Sequence, residues 1–143
     1  VIEYNVRMGD PECESVVRRI DSDLLEHLQA AAKGTLSSEK IVVSPKSSVT
    51  VMAVSGGYPG SYGKGFPISG LDTDSGEDDI VLFHAGTAVS GAEVVTSGGR
   101  VLAVTSLADS LKEARIASYR RLSDISFEGI FYRNDIGSDL LDF

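Results

Sequence analysis

The chain of 143 residues has one cysteine, no tryptophan and fewer basic than acidic residues. The single thiol, Cys13, cannot close an internal disulfide or supply a multi-cysteine zinc site, which favours a reducing, cytoplasmic setting. Thirteen Lys and Arg against twenty-one Asp and Glu give a net charge of −8. We therefore expect no nucleic-acid partner and no membrane partner, because duplexes and anionic membrane surfaces are both bound by clustered basic side chains.

Long hydrophobic runs are also missing from the sequence. None approaches the ~20 residues that a membrane-spanning helix needs, and the chain does not open with a basic-then-apolar signal sequence. It begins without an initiator methionine, inside an apolar, strand-like run, which predicts a piece of a longer protein. The composition, 42% hydrophobic and 24% charged, is that of an ordinary globular domain.

Two kinds of hydrophobic spacing divide the chain. Residues 1–7 alternate as a strand does, and residues 11–33 carry apolar side chains at helical spacings of three and four. Asp10-Pro11 predicts the helix start, the Asp21-Ser22-Asp23 run predicts a restart with its own cap, and Gly34 predicts the end. His27 is predicted on the polar edge of this helical region.

Residues 35–48 are polar and are predicted to be a linker. Strands are predicted over residues 49–54, 80–84, 92–96, 100–105 and, more briefly, 129–132, with a second helix over 109–125. These elements predict an α+β fold in two parts. A strand with helices fills residues 1–35, and a small, mostly antiparallel β domain with one covering helix fills residues 46–143.

The polar face of the first strand carries the most suggestive chemistry. Glu3, Asn5 and Arg7 alternate along one face, so an acid, an amide and a guanidinium lie side by side. Mg²⁺ prefers oxygen ligands, and an adjacent arginine suits a phosphoryl group. A solvent-facing strand without any site has the same pattern, and both interpretations stay open on the residues alone.

Several motifs in order resemble the ATP-grasp ligases, and more specifically the phosphoribosylamine–glycine ligase family. They are EYNVRMGDPE at residues 3–12, SGGYPG at 55–60, FHAGT at 83–87, VTSGGRVLAVT at 95–105, and FEG and YRNDIG near the end. The resemblance covers nearly the whole chain. The loop at residues 72–79 departs from it by being more acidic, and the family's N-terminal half and most of its ATP site lie outside the chain.

The resemblance implies roles for Glu3, Asn5, Arg7 and Asp10, and the position of Arg100 after a glycine turn suggests two roles for it. Glu3 and Asn5 match the family's Mg²⁺ or Mn²⁺ ligands at the ATP phosphates. Arg7, on the same face, is expected to hold phosphate or an acyl-phosphate intermediate. Asp10 is expected either to receive the amine or glycine ammonium group or simply to cap a helix. Arg100 is expected either to cover a phosphate or to form a salt bridge beside a turn.

The resemblance also implies a reaction and a division of the chain. Glycine and 5-phosphoribosylamine would be joined with conversion of ATP to ADP, through glycyl phosphate, in purine biosynthesis. Residues 1–35 would end the ATP-grasp domain, and residues 46–143 would form a C-terminal accessory domain. The remainder of the enzyme is the implied partner, and we expect the fragment alone to be inactive. Two alternatives to this ligase stay open: another ATP-grasp carboxylate–amine ligase, and a non-catalytic accessory module.

The glycine-rich loop and one histidine remain open. Six glycines between residues 56 and 70 either permit close approach to a ligand or serve tight turns, and the loop lacks the spacing of a phosphate-binding P-loop. His84 ends an apolar strand without nearby metal-binding residues in sequence, which favours a structural role.

Overall fold

The computed structural model describes residue 2, residues 7–72 and residues 78–141. Within these ranges the helices are α1 (Glu12–Val17), α2 (Leu24–Lys33) and α3 (Leu111–Ser123), and the strands are β1 (Ser47–Val54), β2 (Ile80–His84), β3 (Thr87–Ser90), β4 (Glu93–Thr96) and β5 (Arg100–Ala108). Short 3₁₀ helices occupy Leu36–Ser38 and Ser138–Leu140. Glu3 and Asn5, and most of the predicted first strand, lie outside the described residues.

The larger sheet has three antiparallel strands in the order β1–β5–β2, and β3 and β4 form a separate hairpin. The α+β fold predicted from the sequence is therefore confirmed. β5 is central, and residues 101–107 are all buried; α3 packs against β1 and β5, and α1 also contacts both strands. The last predicted strand, at residues 129–132, is reduced to a single bridge between Phe131 and Val54.

The core lies between α3 and the sheet. Its fully buried side chains include Val51, Leu102, Val104 and Leu122, with Ala114 beside them. A hydrogen bond also joins α3 to β1, because the Ser118 hydroxyl donates to the Val49 carbonyl at 2.9 Å. A capping box between Ser110 and Glu113 begins α3 by satisfying backbone groups that the first turn leaves free.

The predicted restart of the first helical region is confirmed. Asp23 caps α2 through hydrogen bonds from the Leu25 and Glu26 amides, and Gly34 ends it in the left-handed conformation at φ 71°. The polar segment after α2 folds back on the chain, because the Asp21 amide donates to Val42 and the Ser44 amide donates to Arg19.

This return covers His27, so the predicted position of His27 on a polar edge is wrong. The side chain is buried, and its Nε2 lies 2.7 Å from Ser22 Oγ.

Candidate functional site

The candidate site is a cleft between the loop that precedes α1 and the turns at one end of the sheet. It is lined by Asp10, Tyr58, Ala85, Gly86, Gly99 and Arg100, and has a volume of about 380 Å³. We call it the Arg100 cleft. Two of the residues singled out from the sequence, Asp10 and Arg100, come together here although ninety positions separate them.

Arg100 is the first residue of the central strand. Opposite it the register of β1 shifts between Ala53 and Val54, so the pairing is irregular where β5 begins. The next residues, Val101 and Leu102, are fully buried. A rigid, buried strand therefore carries an arginine at its end, where the side chain reaches the cleft.

Both terminal nitrogens of the Arg100 guanidinium contact Asp10. Its Nη2 lies 3.0 Å from Asp10 Oδ2, and its Nη1 donates to the Asp10 carbonyl at 2.9 Å. Of the two roles expected for Arg100, the structure contains the salt bridge. The side chains are 39% and 53% exposed, so solvent reaches both partners.

The capping role expected for Asp10 is wrong. Helix α1 begins at Glu12 with Pro11 before it, and no side chain caps it in the described structure. The loop is instead closed by a hydrogen bond from the Gly9 amide to the Glu12 carboxylate, at 2.8 Å, and by the Cys13 amide donating to the Gly9 carbonyl. The Asp10 carboxylate is directed to Arg100 because its neighbours already satisfy the turn.

Arg7 lies at the start of the same loop and is exposed. Its Nη1 donates to the carbonyl of the adjacent Met8 at 3.1 Å. That contact is local and weakly restraining, so the guanidinium can be redirected toward an anion. Glu3 and Asn5 precede it outside the described residues, and their geometry stays a prediction. In the part of the chain that is described, no three His, Cys, Asp or Glu side chains cluster as a metal site.

Glycines build the floor of the Arg100 cleft. A Cβ at Gly86 would collide with the backbone of Gly98 and Arg100, and a Cβ at Gly99 would collide with the Tyr58 ring. The Ser97 and Gly98 amides both donate to the Gly86 carbonyl, which locks the two turns together. These glycines therefore permit the chain to pack against itself. Within the glycine-rich loop a Cβ at Gly57 would likewise collide with the backbone of Ser61, which supports the structural interpretation of that loop.

Tyr58 is the cleft residue that sequence reasoning missed. It belongs to the glycine-rich loop, is 39% exposed, and packs edge-to-face with Tyr62 at a ring separation of 6.1 Å. The sequence signal that could have found it is an aromatic residue between glycines, because glycine turns leave space that a ring can fill.

His84, whose role the sequence left open, lies on the surface. Its ring is exposed, and its Nδ1 lies 3.0 Å from Thr87 Oγ1.

Two further depressions lie away from the Arg100 cleft. One, of about 660 Å³, is lined by Lys46, Asp79, Asp109 and Glu113 among others. There the hydrogen-bonded Asp79 carboxylate raises the pKa of Lys46. The other is an apolar groove of about 350 Å³, formed by α1 and the returning segment and lined by Val16, Ile20, Ile41 and Val43 with Ser15, Arg19 and Ser48. We call it the α1 groove.

Comparison with known proteins identifies the family. Residues 48–139 match the family described as phosphoribosylglycinamide synthetase, C domain. The chain belongs to this family. None of the helices in the described ranges is long and apolar enough to cross a membrane.

Relatives of this phosphoribosylglycinamide synthetase C-domain chain align along nearly all of it. It is 48% identical over 137 residues to the phosphoribosylamine–glycine ligase of Rhizobium meliloti, covering 96% of this chain and 32% of the relative. It is 46% identical over 142 residues to a bifunctional purine biosynthetic protein of Dictyostelium discoideum, covering 99% of this chain and 17% of the relative. The chain thus spans a third or less of the length of these relatives.

The fold agrees with that of a solved structure. The crystal structure of the phosphoribosylamine–glycine ligase from Thermotoga maritima superposes with a TM-score of 0.73 at 32% sequence identity. The likeness covers 95% of this C-domain chain and 33% of the ligase. The resemblance noted in the sequence motifs is confirmed at the level of the family.

Proposed function

We propose that the chain is the C-terminal part of an ATP-dependent phosphoribosylamine–glycine ligase in the purine pathway. The observation that carries this proposal is the alignment of 96% of the chain with a ligase of that name at 48% identity. The substrates are ATP, glycine and 5-phosphoribosylamine. The single exposed cysteine and the acidic composition support a cytoplasmic enzyme with no nucleic-acid or membrane partner.

The reaction proceeds in two steps. The glycine carboxylate attacks the terminal phosphorus of ATP, releasing ADP and forming glycyl phosphate. The amine of 5-phosphoribosylamine then attacks the acyl carbon, the bond to phosphate breaks, and the amine loses a proton. Both steps are accelerated mainly by positioning and charge neutralisation, so arginine and divalent cations suit them better than a nucleophilic side chain.

In this proposal Glu3 and Asn5 hold the Mg²⁺ or Mn²⁺ ion. A carboxylate and an amide oxygen are hard donors of the type that these cations prefer, and such ions usually complete their shell with phosphates and water. The bound ion supplies neutralisation of the ATP phosphate charge. What this chain would provide is those two oxygens as ligands.

Arg7 and Asp10 face the reacting groups from the loop before α1. The exposed Arg7 guanidinium, restrained by one local hydrogen bond, is the catalytic group that binds the transferring phosphate. Asp10 receives the amine or the glycine ammonium group through its carboxylate. Arg100, the third residue that the sequence placed in the substrate-binding set, lines the same cleft and is paired with Asp10.

Residues 1–35 are proposed to end the ATP-grasp domain, and residues 46–143 to form the accessory domain. Of the fifteen exposed large hydrophobic side chains among the described residues, nine precede residue 48, whereas the only buried hydrophobic one there is Ala30. A segment that buries so little apolar surface is stabilised by contacts elsewhere. The remainder of the ligase is the proposed partner that covers it.

The test compares the 143-residue chain with a complete polypeptide. In the complete polypeptide the chain is joined to the part of the ligase that the longer relatives contain and this chain lacks. We expect glycine-dependent ADP release from the complete polypeptide and none from the chain alone. Glu3→Gln and Asn5→Ala should each lower Mg²⁺-dependent turnover by at least tenfold while the unfolding temperature stays unchanged. Glu128→Gln, at an exposed position on a turn, is the matched control and should retain normal turnover.

A non-catalytic accessory module is the alternative. Full turnover by both the Glu3→Gln and the Asn5→Ala variant would move the metal site elsewhere. ADP release that does not depend on glycine would contradict the ligase assignment. Glycine-dependent release by the isolated chain would show that the additional part is not needed for the chemistry.

A further inference from the structure

Arg100 joins two parts of the chain that the sequence separates. Asp10 belongs to the loop before α1, within the first part, whereas Arg100 begins the central strand of the accessory domain. The two contacts engage different atoms of Asp10, the carboxylate Oδ2 and the backbone carbonyl. Because both a side-chain and a main-chain atom are held, the contact restrains the path of the loop and also the rotamer of Asp10.

The two ends of this connection differ in rigidity. Val101 and Leu102, which follow Arg100, are fully buried in the centre of the sheet. The loop at residues 7–12 is exposed along most of its length. Its own restraint is a pair of short-range hydrogen bonds, from Gly9 to Glu12 and from Cys13 to Gly9. The Arg100 contact therefore fixes the exposed loop to the buried sheet.

The contact with Arg100 leaves one oxygen of the Asp10 carboxylate available to bind a substrate group. Arg100 binds Oδ2, and a carboxylate has a second oxygen that can accept a hydrogen bond from an ammonium or amine. An arginine fork can span a carboxylate and a carbonyl together, whereas the point charge of a lysine cannot hold both in one geometry. The contact therefore engages one carboxylate oxygen of Asp10, a residue that lines the Arg100 cleft, and leaves the second oxygen available to a substrate.

We propose that Arg100 is a positioning residue, which fixes Asp10 and the adjoining Arg7 loop for the ligase reaction, and that it does not itself bind a substrate phosphate. This inference rests on the proposed function, since it assigns Arg100 its role at the same site. It makes the accessory domain a required support of the catalytic loop. The position of the loop then depends on the correct folding of β5.

The kinetic test uses the complete polypeptide and the variants Arg100→Lys, Arg100→Gln, Asp10→Asn and the double variant Asp10→Asn/Arg100→Gln. Loss of positioning should lower kcat by about 10- to 100-fold, with KM for ATP changed less than threefold, because neither Asp10 nor Arg100 binds ATP in this proposal. The double variant should be no slower than the slower single variant, because Arg100 acts through Asp10. Arg100→Lys should recover only part of the rate.

The opposite result has a distinct signature. If Arg100 binds a substrate phosphate directly, the effect of Arg100→Gln multiplies with that of Asp10→Asn, and where that phosphate belongs to ATP the KM for ATP rises more than tenfold. Either observation would overturn the positioning role. Arg133→Gln is the matched control, since Arg133 is an exposed arginine in an ion pair with Asp135, and it should leave the kinetics unchanged.

A second measurement does not depend on ligase activity. Hydrogen exchange at the Gly9 and Cys13 amides should be at least threefold faster in Arg100→Gln than in the unaltered polypeptide and in Arg133→Gln. Unchanged exchange at both amides would overturn the proposal even in an active ligase. Faster exchange in a polypeptide without glycine-dependent ADP release would support the positioning contact while contradicting the proposed function.

Discussion

Asp10 and Arg100, ninety residues apart, form an ion pair at 3.0 Å that joins the loop before α1 to the central strand. Both side chains are more than a third exposed, so water and salt screen their attraction. We expect a coupling energy below about 1 kcal/mol in a double-mutant cycle of Asp10→Asn and Arg100→Gln, measured by urea unfolding of the 143-residue chain. A coupling of several kcal/mol would mean that the pair is chiefly a stabilising contact.

The core between α3 and the sheet is where stability is most sensitive to side-chain size. Leu122 is fully buried on α3, whereas Ile116 on the same helix is 53% exposed. Leu122→Ala should lower the free energy of unfolding by about 2–5 kcal/mol, because the removed atoms leave a cavity. Ile116→Ala should change it by about 0.5 kcal/mol or less. Circular dichroism during urea unfolding measures both, and equal effects would contradict this packing.

One hydroxyl, beside the two backbone hydrogen bonds, helps to hold the segment after α2. Ser22 Oγ accepts the Val42 amide hydrogen bond at 3.0 Å and lies 2.7 Å from the buried His27 Nε2. Ser22→Ala removes the partner of both groups, so proteolysis within residues 35–43 should become several-fold faster. Ser123→Ala, which removes an exposed hydroxyl contact on α3, should not have this effect. Initial cleavage of either variant within residues 101–105 would contradict the burial of β5.

The Arg133–Asp135 pair gives a pH-dependent signal. Arg133 donates to both carboxylate oxygens, at 2.9 and 2.7 Å, and this hydrogen bonding lowers the pKa of Asp135 below its usual 3.8. The stabilisation is therefore present above the usual pKa and is lost as the pH falls through the lowered one. Carboxyl NMR titration should show a higher midpoint in Arg133→Gln. An identical midpoint in both proteins would contradict the pairing.

Local patterns predicted most of the regular structure. The Asp23 cap and the Gly34 terminus of α2 were predictable because each depends on residues within one turn. Strand β3 was not predicted, because three of its four residues are exposed and its sequence lacks the alternation that marks a half-buried strand. Its partner β4 supplies the pairing that defines it.

The candidate site was predictable in its residues but not in its contacts. Asp10 and Arg100 were each selected from local motifs, yet their pairing depends on a fold that brings distant segments together. The capping role of Asp10 failed because the Cys13 amide, which a cap at Asp10 could accept, already donates to the Gly9 carbonyl. The burial of His27 was missed for a similar reason, since the segment that covers it returns from beyond the end of α2 and that contact cannot be read from the spacing within the helix.

The central place of β5 has a consequence during synthesis. Its two neighbours, β1 and β2, are both made before it, and β1 ends at residue 54 while β5 begins at residue 100. At about 5–20 residues per second, β1 waits a few seconds on the ribosome with both edges unpaired. Nascent chains that stop before residue 100 lack β5 and cannot close the sheet. Slow codons or chaperone binding in that interval should therefore govern the yield of folded protein.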